Sequence, residues 1–244
     1  MGDDHTTAAA VAAWSTVSAV QGVAACDFLS EGELLATTTQ KDLALGTVRR
    51  SLQSFTRAPS GAWAGSGFPV ELSAETSLVV PSPSGVLLAK AVRVSGAGAA
   101  PTGLFPAPVT AAPELGAHTR VDITDRTGSV VAAITLPSVV YADGWFEGCA
   151  WCLDESQLVV VAEAPRAAPP SRGYFATSGE GEADGSLYDY DPDWGEAKVG
   201  MHRSVLLLLD VSAASATVLA PTSTEISCGT PVWGPTGEVV FSGT

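Results

Sequence analysis

Three segments of the sequence share one plan, and this recurrence constrains the fold more than any other feature. They lie at residues 80–89, 151–161 and 232–241. Each has an apolar run, a tight turn with Pro or Asp and Gly or Ser, and a β-branched run, which predicts a β-hairpin. Recurring hairpins are typical of β-propeller blades, which repeat every ~40–50 residues. The spacing here is longer, which predicts exposed loop inserts at residues 95–113 and 164–193.

The stretches between these hairpins predict the outer strands of the blades. Residues 120–125 and 130–136 flank one turn sequence, and residues 205–211 and 216–219 flank another. Their alternating side chains suit strands of a packed blade. Residues 41–55 fit either one helix or two strands, and their surroundings favour strands. The predicted fold class is therefore all-β, an incomplete β-propeller of about three to four blades with a short N-terminal helix.

The N-terminus predicts a short helix of low independent stability. Thr6 and Thr7 precede an alanine-rich run and can supply a hydroxyl N-cap, while Trp14 and Val17 lie three residues apart. Few long apolar side chains line this segment, so the helix needs a partner surface. The predicted division is a helical segment at residues 1–20 and a partial propeller at residues 21–244.

Composition excludes several classes of protein. The chain of 244 residues is 46% hydrophobic and 16% charged, which suits a globular domain. Twelve basic residues against 26 acidic ones leave no basic face for a nucleic acid or an anionic membrane. No run approaches the ~20 apolar residues of a membrane helix. Four scattered cysteines indicate reduced thiols, and Asp3 and Asp4 argue against a targeting signal, so we expect a cytoplasmic protein.

Two patterns of cysteines and carboxylates resemble metal sites. Cys149 and Cys152 form a CxxC, but residues three apart on a strand point to opposite faces and no second ligand pair follows. Residues 189–194 have a carboxylate at every second position, as the start of an EF-hand loop does. Such a loop requires Gly at its sixth position and Glu at its twelfth, but Trp194 and Gly200 stand there. We therefore predict two strand thiols and an exposed acidic loop, with no metal site.

Motifs for cofactor binding and nucleophilic catalysis fail on similar grounds. Residues 96–101 resemble a dinucleotide loop, but Pro101 replaces the third glycine and no helix follows. No Gly-x-Ser-x-Gly is present, and His5, His118 and His202 have no context that names a serine partner. The sequence thus predicts no catalytic, cofactor-binding or metal-binding residue.

One acidic, aromatic stretch carries a family resemblance. Asp193-Trp194-Gly195-Glu196 is followed by a strand that ends at Leu209-Asp210-Val211 and then by Gly229-Thr230-Pro231-Val232-Trp233-Gly234-Pro235. Three further pieces agree in order: Thr39-Gln40-Lys41-Asp42-Leu43, Ser82-Pro83-Ser84-Gly85, and Gly148-Cys149-Ala150-Trp151 through Val159-Val160-Val161-Ala162-Glu163. Together they resemble the N-terminal β-propeller of the acylaminoacyl-peptidases, members of the prolyl oligopeptidase family.

The resemblance implies a part of a two-domain serine peptidase. In that family the propeller caps an α/β-hydrolase domain that carries the Ser, Asp and His, and it restricts access to short N-acylated peptides. The implied partners are such peptides and the hydrolase domain, and a homo-oligomer is left open. The N-terminal helix would pack against the hydrolase domain. No catalytic residue transfers to this sequence, so we expect the chain to be inactive by itself.

Two expectations follow for the chain as given. It ends within the hairpin at residues 232–241, so we expect a fragment or partial gene product of low stability alone, with more blades and a Gly-x-Ser-x-Gly encoded downstream. Two rival functions remain. One is a stand-alone propeller-like interaction module without catalysis. The other is a dipeptidyl-peptidase type of propeller, which would need a helical glutamate pair that the sequence lacks.

Overall fold

The structure is a computed structural model, and it describes most of the chain. The described residues are 3–18, 20–43, 45–94, 118–136, 138–142, 148–164, 203–219 and 226–243. They form a helix, α1, and fourteen strands. Their bounds are α1 Asp3–Ser18, β1 Gly22–Ser30, β2 Glu33–Asp42, β3 Thr47–Arg57, β4 Trp63–Leu72, β5 Thr76–Pro81, β6 Leu87–Val94, β7 His118–Asp125, β8 Val130–Leu136, β9 Cys149–Trp151, β10 Gln157–Glu163, β11 Ser204–Asp210, β12 Ser215–Leu219, β13 Cys228–Trp233 and β14 Val239–Gly243.

The strands form four sheets in which each strand lies beside its neighbour in the sequence. Strands β1 to β4, β5 to β8 and β9 to β12 form three four-stranded sheets, and β13 pairs with β14. Four-stranded meanders of this kind are the blades of a β-propeller. The predicted all-β class, with three to four blades after a short helix, is confirmed.

The three recurring hairpins are confirmed, and each contains the first two strands of a sheet. They correspond to β5–β6, β9–β10 and β13–β14. Residues 41–55 are divided between β2 and β3, as their surroundings predicted, and the paired strands join at Asp42 and Thr47. The predicted outer strands are β7, β8, β11 and β12. Nearly all of the two predicted loop inserts lies outside the described residues.

The N-terminal helix is confirmed, but its predicted start is wrong. The helix begins at Asp3, so Thr6 and Thr7 lie inside it and do not form its N-cap. Acidic residues stabilise the first helical turn because they face the positive end of the helix dipole. Asp3 and Asp4 are the first two residues of the helix, and the sequence alone does not separate them from Thr6 and Thr7 as its start. In the described part of the chain, no helix has the length and apolar character needed to cross a bilayer.

The chain divides into two compact units, residues 1–92 with 122–131 and residues 93–121 with 132–244. In the first unit, the core side chains include Leu34 and Leu35 near the start of β2 and Ile123 on β7. Many other apolar side chains of this unit stay exposed, and strand β1 is exposed along almost its whole length. The first unit therefore buries its apolar residues incompletely.

The second unit has a closely packed centre. All five residues from Leu158 to Ala162 are fully buried on β10, and Leu209 is fully buried on the neighbouring strand β11. A strand buried on both faces is apolar without alternation, as these two strands are. Tyr141 and Cys228 pack with β10 and β11 in one apolar cluster. This centre holds β9 to β14 in place.

Candidate functional site

A cavity lies within the first unit, between β2–β4 on one side and β5–β7 on the other. Its volume is about 670 Å³. Ligand pockets in proteins usually have volumes of about 300–1,000 Å³. We call this cavity the inter-sheet cleft, and it is the candidate functional site.

Short polar side chains explain why the cleft is open. Leu35, Ser54 and Ser66 lie opposite one another in a row across β2, β3 and β4. Thr56 follows two residues after Ser54, on the same face of β3. A packed sheet interface holds larger aliphatic residues at such positions. The serines leave space that the facing strands do not fill, and all four residues line the cleft.

The cleft also has apolar walls that reach solvent. Leu52 pairs with Val70 across β3 and β4, and both line the cleft. Val70 is 61% exposed, and Val86 on the opposite wall is 50% exposed. Exposed apolar surface gains about 25 cal/mol for each Å² that a ligand covers. The walls therefore favour a ligand with apolar groups.

Arg126 fixes the mouth of the cleft. Its Nε donates a hydrogen bond to the carbonyl of Gly85 at 2.8 Å, and its Nη2 lies 3.1 Å from Glu33 Oε2. Gly85 has a φ of +68°, and a Cβ there would lie 3.0 Å from Leu29 Cβ. Only glycine suits both the left-handed backbone and this close approach. The β5–β6 turn is thereby attached to β2.

The charges that line the cleft are mostly negative. The lining has four carboxylates and two cationic side chains, which is an excess of two negative charges. The carboxylates are Glu33, Glu71, Asp122 and Asp125, and the cations are Lys90 and Arg126. Because like charges repel, the lining disfavours an acidic ligand.

Carboxylates also fix several β-turns of the chain. Asp154 Oδ1 accepts hydrogen bonds from the Cys152 thiol at 2.9 Å and from the Ser156 hydroxyl at 2.7 Å. These bonds favour the carboxylate form, and they lower the pKa of Asp154 to about 2. The Thr127 hydroxyl lowers the pKa of Asp125 in the same way, and the Ala213 N–H, followed by the Ser212 hydroxyl, lowers the pKa of Asp210.

Acid should destabilise the fold partly through these turns. The folded-state pKa of Asp154 lies below its ordinary value of 3.8, so its contribution is complete above that value and is lost as the pH falls toward about 2. Asp154→Asn cannot titrate and should lose less stability in this window than the wild type. Urea unfolding at several values between about pH 5 and pH 2 measures the two slopes. Equal slopes would show that Asp154 does not couple folding to pH.

The CxxC residues are separate in role. Cys152 lies in the β9–β10 turn, where its thiol bonds to Asp154 and its sulfur accepts the Gln157 N–H at 2.9 Å. The sequence predicted Cys152 on the strand, and this is wrong because β9 ends at Trp151. Burial raises the pKa of the Cys149 thiol far above its ordinary value, which keeps it protonated and unreactive. All four cysteines are free.

The remaining candidates from the sequence stay largely untested. Among the described residues, no group of three or more His, Cys, Asp or Glu could hold a metal ion. His5 lies on α1 and His118 begins β7. The acidic loop, the glycine-rich residues 96–101, His202 and the Asp193-Trp194-Gly195-Glu196 stretch all lie outside the described residues.

Sequence reasoning missed the residues of the inter-sheet cleft. A signal was present in the sequence of β3. Leu52, Ser54 and Thr56 lie two residues apart and share one face, where a buried strand would carry aliphatic residues at all three positions. The ion pair between Glu33 and Arg126 could not be found in this way, since its partners are 93 residues apart.

The four-stranded antiparallel meanders define the class of protein, a β-propeller domain. The family model "Acylamino-acid-releasing enzyme, N-terminal domain" matches residues 11–242. The chain belongs to this family, so the resemblance stated from the sequence is confirmed.

Similar proteins are longer than this chain. Acylamino-acid-releasing enzyme of Arabidopsis thaliana is 28% identical over 237 residues, which cover 88% of this chain and 27% of the relative. Acylamino-acid-releasing enzyme 2 of Oryza sativa subsp. japonica is 26% identical over 85% of this chain and 25% of its own length. The human enzyme is 28% identical over 46% of this chain and 18% of its own length. The chain thus spans about a quarter or less of these relatives.

Solved structures give more distant matches. Acylaminoacyl peptidase of Pyrococcus horikoshii is 13% identical with a TM-score of 0.45, and the match covers 84% of this chain and 25% of that one. The β-propeller domain of the Trilobed protease of Pyrococcus furiosus is 10% identical with a TM-score of 0.42, covering 85% and 45%.

Proposed function

We propose that this chain is the N-terminal propeller portion of a serine peptidase that removes N-acylated amino acids from short N-acylated peptides. The observation that carries the proposal is the family match, which extends over residues 11–242 of the 244. In this proposal the propeller gates substrate access, and the chemistry occurs on an α/β-hydrolase domain. The partners are short N-acylated peptides and that domain, and the compartment is the cytoplasm.

The buried packing of single blade residues supports a gating role. A gate that selects by size must resist the local opening that would admit long chains, and local opening becomes rarer as buried packing increases. Ile134 on β8 is 1% exposed, whereas Val131 on the same strand is 53% exposed. Removing the buried side chain should loosen this blade, and removing the exposed one should not.

The test compares substrates of two lengths on the protein expressed at its natural length. The substrates are N-acetyl-alanyl anilide and an N-acetylated peptide of about twenty residues, and the readout is the ratio of their kcat/KM values. Ile134→Ala should raise the relative activity on the long peptide by about tenfold, if opening becomes ~1.4 kcal/mol easier. Val131→Ala is the matched control and should leave the ratio unchanged.

Two results would contradict the proposal. Equal activity of the wild type on both lengths would remove the gating role while leaving the peptidase in place. The peptidase would be refuted if the protein did not turn over N-acetyl-alanyl anilide and did not react with a serine-directed inhibitor. This pair of results would favour a stand-alone interaction module. The chain of 244 residues alone should show no turnover.

A further inference from the structure

We propose that the inter-sheet cleft binds an extended peptide segment that carries apolar side chains and is uncharged or basic rather than acidic. This inference goes beyond the proposed function, because it assigns a peptide-binding surface to the propeller and needs no peptidase activity. Three features of the cleft carry it: apolar walls, a row of hydroxyls and an excess of negative charge.

The hydroxyls match the backbone of an extended peptide. Ser54, Thr56 and Ser66 line the cleft, and their side-chain hydroxyls form no hydrogen bond with other residues in the described ranges. Each hydroxyl can donate and accept, so it can pair with a peptide N–H or C=O. Ser54 and Thr56 are two residues apart on β3, a spacing of about 6.6–6.8 Å. An extended peptide repeats at the same interval, whereas a compact ligand does not.

The walls supply the places for apolar side chains. Val70 and Val86 are exposed, and Leu52 and Phe55 are half-buried. A side chain that enters the cleft covers these groups and removes them from water. Recognition of this type combines backbone hydrogen bonds for affinity with pockets for alternate side chains.

The charges select against acidic peptides. Glu33 is already paired with Arg126, and Asp125 bonds to its own turn. Glu71, also in the lining, is exposed at the edge strand β4. A basic side chain of the peptide is attracted to the Glu71 carboxylate, whereas an acidic side chain is repelled by the negatively charged lining.

The experiment measures anisotropy of rhodamine-labelled, N-acetylated peptides added to the protein at its natural length. A serine-directed inhibitor first blocks any reactive serine, so that binding is read without turnover. The probes are N-acetyl-Val-Ser-Leu-Ser-Val-Lys amide and the same peptide with Glu in place of Lys. We expect the basic probe to bind about tenfold more tightly at low salt, and Glu71→Gln to reduce this difference.

Filling the cleft provides the decisive variant. Ser54→Leu combined with Ser66→Leu places apolar volume in the cavity and should abolish binding while preserving or raising the melting temperature. Gln53→Leu is the matched control, because Gln53 lies on the same strand but is not among the residues that line the cleft, and it should bind as the wild type does. Binding that survives the filled cleft overturns the proposal, as does a cleft that binds the neutral dye Nile red but neither peptide. These results are independent of whether the protein cleaves N-acylated peptides.

Discussion

Leu209→Ala is expected to lower the free energy of unfolding by about 2–5 kcal/mol. Leu209 is fully buried on β11 and lies directly opposite Leu158, which is also fully buried on β10. Truncation removes three carbon atoms from the packed centre of the second unit. The cavity that remains cannot close easily, because the neighbouring side chains are held by two hydrogen-bonded strands.

Leu153→Ala is the matched control, since the substitution is chemically the same and Leu153 is 90% exposed. Its expected change is within about 0.5 kcal/mol. Urea unfolding of the protein at its natural length, followed by far-UV circular dichroism, measures both variants. If the two leucines gave equal losses, the described burial of β11 would be incorrect.

The sequence predicted the second and third sheets well because their signals are local. Turn residues such as Gly85 and Asp154 lie between apolar runs, and the turn chemistry is readable within about six residues. The apolar runs of β10 and β11 need no alternation, since both strands are buried on both faces. Strand positions and hairpin pairing therefore followed from short stretches of sequence.

The first sheet was less readable for a physical reason. Strand β1 is exposed at eight of its nine residues. Because neither face of the strand is buried, its sequence does not alternate between apolar and polar residues. Its hairpin with β2, around Gly32, has the same plan as the other three but weaker turn signals. The start of α1 was also misplaced, because several polar residues in a row each suit a first turn.

The polar residues of β3 were visible in the sequence, but the cleft that they line could not be predicted from it. The existence of the cleft depends on the volume left between two sheets, which is set by side chains from strands far apart in the chain. The serines of β3 and β4 were visible as polar residues, but a polar strand residue is usually a solvent-facing one. Ser54 is exposed and Ser66 is half-buried, and only the position of β5–β7 across from them reveals that they line a cleft.

Gly148→Ala is expected to destabilise the second unit by about 1–3 kcal/mol through overpacking. A Cβ at this position would lie 2.5 Å from Pro231 Cδ and 3.1 Å from the Thr230 Cα. Neither group can move freely, because the proline ring is rigid and Thr230 already has a left-handed φ of +43°. The methyl group must therefore push β9 and β13 apart.

The displacement should be visible beyond the substituted residue. Trp233 Nε1 donates to the Ala150 carbonyl at 2.8 Å, and this bond joins the same two strands. Gly32→Ala is the matched control, since its Cβ would meet nothing within 4 Å, and its expected change is within about 0.5 kcal/mol. Urea unfolding measures stability, and near-UV circular dichroism reports the tryptophan environment. Because the clash acts through position rather than polarity, Gly148→Ser should behave as Gly148→Ala does. Wild-type stability in both variants would mean that β9 and β13 are not in close contact at Gly148.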